Sequence, residues 1–284
     1  MRKFRRSLGL VALLLLLAAA PARSSIWSEQ RTPSQGPAQA IGKSDAGCLA
    51  GAQALPFSGP GYQVIRLSRV RYFSHPQTIA FVEELGRAAA AAGLPDFYVG
   101  DMSLPRGGPM PNGHASHQTG IDVDVWFNLD PKPMLPPAAR EDVPLPSMLT
   151  PDHKALDPAR FSAKQVTLLR LAASDPRVDR IFVSPVIKRA LCEGRYSAAV
   201  GDHSWLHKIR PWYDHDDHFH VRLSCPAGSR DCARQAPVPA GDGCDASLAW
   251  WFEPHPAPAA PVTPAPAKPR LPVLPAACRQ LVAP

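Results

Sequence analysis

The sequence predicts an α+β domain: a small antiparallel sheet with one polar face, flanked by helices and long loops. Three observations carry this. Two short segments alternate apolar and polar residues with the period of a strand, Ile121–Val125 and His218–Leu223. Two longer ones repeat apolar residues every three or four positions, over 77–92 and 163–173. Between Asn128 and Pro158 prolines are frequent and periodicity is absent, which reads as loop.

The chain begins with an address. Arg2, Lys3, Arg5 and Arg6 form a positive region, Leu8–Ala20 an apolar one, and Ala20-Pro21-Ala22 a small-residue cleavage pattern. The apolar run is short for a span of about 20 residues. Residues 1–22 are therefore expected to be a signal peptide, with the mature chain starting near Arg23 and no integral membrane segment. The formal charge is +7, from 31 Lys+Arg and 24 Asp+Glu. Four of those positives lie in the leader, so the remaining surplus is too small to argue for nucleic acid.

Six cysteines, Cys48, Cys192, Cys225, Cys232, Cys244 and Cys278, make an even set. In an exported chain they read as three disulfides, for which six cysteines allow 15 pairings. Cys225 and Cys232 are close enough for a local loop, and the absence of any C-x-x-C pair argues against a zinc ribbon. Residues 23–253 suffice for one domain. From Pro254 to Pro275 the chain is largely proline and alanine, which favours extended polyproline II. Cys278 near its end argues that this tail, 254–284, is stapled back onto the body.

Pro76 in the first turn and Gly93 after the end frame a helix over 77–92, with Ile79, Val82, Leu85 and Gly86 on one face. Val166, Leu169 and Ala173 mark a second helix over 163–173, ended by Pro176. Phe97–Val99 and Arg180–Val183 are strand candidates, the latter stopped by Pro185.

The chemistry lies on the two alternating segments. Ile121, Val123 and Val125 form an apolar row, so Asp122 and Asp124 share the opposite face. Phe219, Val221 and Leu223 do the same for His218, His220 and Arg222. His117 precedes Asp124 by seven residues, across Gly120. Five of the ten histidines (His114, His117, His215, His218 and His220) fall in these two stretches, whereas His75, His203, His207 and His255 read as ordinary. If the strands pair, two imidazoles and a carboxylate converge, which suits a catalytic zinc with a position left open for water. A His-x-His on an exposed strand is a weak signal alone; joined to His-x6-Asp it is strong. No G-x-S-x-G surrounds Ser116, and H-E-x-x-H is absent.

The run from Gly113 to Asp124, followed by His218 to Leu223, closely resembles the penicillin-insensitive murein endopeptidases. These belong to a wider group of zinc peptidases that includes D-Ala-D-Ala carboxypeptidases, lysostaphin-type enzymes and the Hedgehog domain. Gly61–Val64, Arg71–Phe73, Gly100–Met102, Arg210–Trp212, Gly241–Cys244 and Trp251–Pro254 extend the resemblance over essentially the whole mature chain. It implies a periplasmic enzyme that hydrolyses D-alanyl–meso-diaminopimelyl cross-links of peptidoglycan. Its zinc would be held by His117, Asp124 and His220, with His114 at or close to the metal. His218 takes the place of the catalytic base and His215 that of an auxiliary histidine. The implied disulfides are Cys48–Cys278, Cys192–Cys244 and Cys225–Cys232. A D,D-carboxypeptidase and a non-catalytic zinc-bearing wall-binding domain are the rival readings within the group. One departure stands out. The family's Asp-x-x-His, which can hold a second zinc shared between subunits, is here Asp152-His153-Lys154-Ala155. That argues against a second metal on Asp152 and His153, and against a homodimer built on it.

Overall fold

A computed structural model describes residues 26–254 and 273–283. The expected signal peptide, residues 255–272 of the proline-rich tail and His255 lie outside the described residues.

The first elements are a hairpin of β1 (Gln39–Lys43) and β2 (Ala46–Ala50). Short strands follow: β3 (Gln53–Ala54), β4 (Ser58–Gly59), β5 (Tyr62–Val64) and β6 (Phe73–Ser74). Helix α1 (Pro76–Ala91) begins one residue before the sequence expectation, because Pro76 is its first residue and His75 caps it. The Gln77 amide donates to the His75 Nδ1 at 3.1 Å. Strands β7 (Phe97–Val99) and β8 (Asp122–Trp126) come next. Helix α2 (Ala163–Ser174) starts with a capping box between Ser162 and Gln165, which satisfies two otherwise orphaned amides. After β9 (Val178–Val183), Pro185 does more than stop the strand: it opens helix α3 (Pro185–Cys192), capped by Ser184. The one-turn helix α4 (Ser197–Val200), strands β10 (Ile209–Pro211) and β11 (His218–Leu223), and short helices α5 (Ala246–Ala249) and α6 (Ala276–Leu281) complete the chain.

The main sheet is larger than the expected small antiparallel one. It has seven strands in the order β10-β9-β11-β8-β7-β5-β4. The four central strands pair antiparallel, as expected, but β10–β9 and β5–β7 are parallel. The flanking strands escaped the sequence reading because three residues such as Tyr62–Val64, buried throughout, show no alternation. The 128–158 stretch is largely irregular, interrupted by a 3-10 turn at Pro137–Arg140.

The apolar rows behave as the pattern demands. Val123, Val125, Phe219, Val221 and Leu223 join α1 and α2 residues such as Val82, Val166 and Leu169 in one core. Phe127 ties Phe219 to Phe161, with ring centroids 5.2 and 5.7 Å apart. The opposite face of β8 and β11 carries Asp122, Asp124, His218, His220 and Arg222, beside a smaller apolar cluster of Ile65, Tyr98 and Trp126.

Three disulfides close the molecule: Cys48–Cys278, Cys192–Cys244 and Cys225–Cys232. The first draws α6 onto β2 in a small second core with Trp27, Ile41 and Leu104. No helix among the described residues is long and apolar enough to cross a membrane.

Candidate metal centre

Register decides what meets on the polar face. In the β8–β11 pair, His220 stands opposite Asp124, Arg222 opposite Asp122, and His218 opposite Trp126. The loop before β8 folds over this face and delivers His114 and His117. Gln118 fixes that loop to the first hairpin: it accepts from the Gly47 amide at 3.2 Å and donates to the Asp45 carbonyl at 2.9 Å. Gly120 then turns the chain into the strand at φ +69, where a Cβ would meet Leu49 at 2.4 Å. His117 itself sits at φ +67, a conformation rare outside glycine and typical of functional positions.

The side chains converge tightly. Ligand-capable atoms of His114, His117 and Asp124 all lie within 4.8 Å of one another. The Asp124 Oδ1 is 3.3 Å from His117 Nε2 and 3.2 Å from His220 Nδ1. His114 Nε2 stands 3.5 Å from the other Asp124 oxygen and 3.2 Å from Asp101 Oδ2. Asp101 is buried and also receives Arg71 at 2.7 Å. Asp124 is buried, which alone would raise its pKa; the fields of His117 and His218 hold it well below the usual carboxylate range.

This set fits a cation. Both nitrogens of His117 and both oxygens of Asp124 are buried without a hydrogen-bond partner. The other nitrogen of His220, Nε2, bonds Asp122 Oδ1 at 2.6 Å. In the neutral tautomer that Nε2–H leaves the Nδ1 lone pair facing the Asp124 carboxylate, acceptor against acceptor. Orphaned buried acceptors are costly, about 1–3 kcal/mol each, and a bound cation would satisfy them together. Imidazole and carboxylate donors without a thiolate suit zinc.

His218 and His215 stand beside this cluster. His218 Nδ1 is 2.5 Å from Asp217 Oδ1, and its Nε2 points back towards Asp124 at 3.9 Å. Burial would lower its pKa, but Asp124 and Asp217 outweigh that and raise it. The His215 ring lies 5.0 Å from that of His218, and its Nδ1 donates to the Tyr213 carbonyl at 2.6 Å. Burial, reinforced by the field of His218, takes its pKa down to about 4. An open groove of ≈ 600 Å³ runs past His114, Ser116, His215, His218 and His220.

A sequence model described as penicillin-insensitive murein endopeptidase matches residues 40–283. The chain belongs to the penicillin-insensitive murein endopeptidase family. It is 48% identical over 233 residues to the protein of that description in Haemophilus influenzae, covering 80% of this chain and 79% of that one. Relatives so described in Klebsiella pneumoniae and Escherichia coli are 44% and 41% identical, each over 96% of both chains. As a member of this family the protein is a murein endopeptidase, a hydrolase acting on the cell wall.

Within the family frame, Asp152 and His153 stand apart. Both are exposed on a turn, where Asp152 accepts from the Thr150 hydroxyl at 2.6 Å and His153 Nδ1 approaches Asp216 at 3.6 Å. They belong to neither ligand-capable cluster found among the described residues. The second such cluster, His203, Asp242 and Cys244, lacks a free thiolate because Cys244 is disulfide-bonded. Two residues beside the centre were missed as contributors, Asp101 and Asp122. The Asp122/Asp124 alternation placed Asp122 on the polar face and could have flagged it. Asp101, distant in sequence from both strands, gave no local signal.

Proposed function

We propose that the protein is a zinc endopeptidase of the periplasm that hydrolyses D-alanyl–meso-diaminopimelyl cross-links between peptidoglycan stem peptides. Three disulfides suit such an oxidising compartment. The observation that carries the metal is the inward convergence of the unpartnered His117 nitrogens and Asp124 oxygens, with His114 in the same group and His220 Nδ1 3.2 Å from Asp124. These three would hold the ion, with His114 at its edge. Bound zinc supplies Lewis acidity, polarising a carbonyl and lowering the pKa of water to about 7.

The remaining work falls to side chains. With Nδ1–H donated to Asp217, His218 presents the Nε2 lone pair towards the cluster, placed to take a proton from water and return it to the leaving amine. Asp217 stabilises the imidazolium formed in between. His215, kept neutral by burial and bound through Nδ1–H, offers Nε2 as an acceptor along the same groove. Asp122 and Arg222 fix the tautomer and orientation of His220.

The test couples metal analysis to digestion of intact peptidoglycan. The expected result is stoichiometric zinc, conversion of cross-linked dimers to monomers, and loss of both with a chelator. Full cleavage by metal-free protein would reject the zinc reading, and release of terminal D-alanine alone would mark a carboxypeptidase.

A further inference from the structure

Beside the groove the surface carries an unusual concentration of exposed aromatic rings. Trp212 is 55% exposed, Tyr213 51% and Trp250 47%. Single exposed apolar residues are ordinary, but contiguous apolar surface on a folded domain marks binding. These rings come from two segments that meet through Trp251: its ring centroid is 4.8 Å from Tyr213, 6.2 Å from Trp212 and 5.3 Å from Trp250.

Both segments are anchored. The Trp212 amide donates to the Val183 carbonyl at 2.8 Å. Leading to Trp250, the chain is tied down by the Cys192–Cys244 disulfide, by Asp245 capping α5, and by buried Leu248. The rings are therefore held at the surface by built structure, which costs the fold apolar burial it could otherwise gain. The cluster is also continuous with the centre. Trp212 and Tyr213 line the same groove as His215, His218 and His220. Phe182 bridges the two, 5.7 Å from Trp212 and 5.4 Å from His220.

We propose that Trp212, Tyr213, Trp250 and Trp251 form an aromatic platform of inclined rings, at 55–89° to Trp251, one of which stacks a sugar ring of the peptidoglycan glycan strand while the cross-linked peptides occupy the metal groove. This rests on the murein substrate proposed above. A pyranose presents C–H groups on its flat face and hydroxyl and acetamido groups at its edge. That match, apolar face to ring and polar edge to indole N–H and phenol, is what tryptophan and tyrosine provide at little entropy cost. The short stem peptides are rich in carboxylates and offer no comparable flat apolar face, so they belong with the polar groove.

The test uses glycan strands freed of their peptides by an amidase, titrated calorimetrically into the zinc-loaded protein. Removing one ring in Trp250→Ala or Tyr213→Ala should weaken binding about two- to tenfold, the worth of an aromatic contact. Trp250→Phe should recover most of it. KM for intact sacculi should rise more than KM for sugar-free cross-linked peptides. Unaltered zinc content and circular dichroism will show that the variants fold. Equal losses on both substrates would overturn the proposal, as would absent glycan binding in a wild type that cleaves sacculi. So would a dimer by light scattering that Trp250→Ala dissolves without changing glycan affinity. A wild type that binds glycan strands but cleaves no cross-link would support the platform and reject the proposed reaction instead.

Discussion

Asp122 grips the far nitrogen of His220: its Oδ1 lies 2.6 Å from Nε2, and Arg222 Nε closes on the same oxygen at 2.5 Å. The burial of Asp122 would raise its pKa, yet the charge of Arg222 and the bond to His220 hold it well below the usual carboxylate range. A charged carboxylate behind an imidazole fixes its tautomer and makes its other nitrogen a better ligand. Asp122→Asn keeps the shape and removes the charge. Zinc affinity, measured by competition with a chelator, should fall about 10–100-fold. An unchanged zinc dissociation constant would show that Asp122 serves only Arg222.

His220 and His218 stand two residues apart on one face and should separate cleanly by mutation. His220→Ala removes a proposed ligand and should lose tightly bound zinc. His218→Ala should retain the metal and lose turnover by about 10²–10⁴, the usual contribution of general acid–base catalysis. Equal zinc loss in the two variants, by atomic absorption, would reject these roles.

The polar faces of β8 and β11 were legible because strand alternation is a local property: each segment states its own apolar row. The register was not. His220 faces Asp124 through packing between strands some hundred residues apart, and no local pattern encodes it. The outer parallel strands were equally silent, β5 and β10 being only three residues long. The first hairpin, Gln39–Lys43 with Ala46–Ala50, is rich in alanine and glycine and carries no periodic signal, yet it holds the histidine loop through Gln118. Helices α1 and α2 were readable to within a residue because proline, glycine and apolar spacing all act within one or two turns.

That hairpin links the tail to the metal centre. Cys48 in β2 is bonded to Cys278 in α6, and its neighbour Gly47 donates to Gln118 in the histidine loop. Cys278→Ser should therefore destabilise the domain by up to about 2–5 kcal/mol. It should also weaken zinc binding, because the loop loses its brace. Thermal denaturation with and without zinc checks both effects. Lower stability with unchanged zinc affinity would show that hairpin and loop are uncoupled.

Lys188 gives the fold a pH signature remote from the metal. It is fully buried on α3, its ammonium donating to the carbonyls of Leu206 and Asp242. Burial, only partly offset by the field of Asp242, takes its pKa from 10.5 to about 8. Between those values the unfolded chain binds a proton that the native protein does not, so stability rises with pH across that window. Below about pH 8 both states are protonated and the full cost of the buried charge applies. Relative to Lys188→Met, the wild type should gain up to about 3 kcal/mol from pH 8 to 10.5. Parallel denaturant titrations of the two proteins would show this, and a constant difference would place the lysine pKa near its ordinary value.

The last expectation concerns β-lactams, which inactivate serine-type D,D-peptidases by acylating a nucleophilic serine. Ser116 stands between His114 and His117 in the loop over the sheet and lines the groove. It is half-buried on the groove wall, and the sequence has no S-x-x-K to activate it. The polar groups at the centre are instead turned inward on one another, His117, Asp124 and His220 sharing contacts of 3.2–3.3 Å. Cross-link cleavage should therefore continue at penicillin concentrations that silence serine-type D,D-peptidases, with no mass added to the protein. Ser116→Ala should retain cleavage. A stoichiometric penicilloyl adduct on Ser116 with parallel loss of cleavage would replace the metal reading with a serine mechanism.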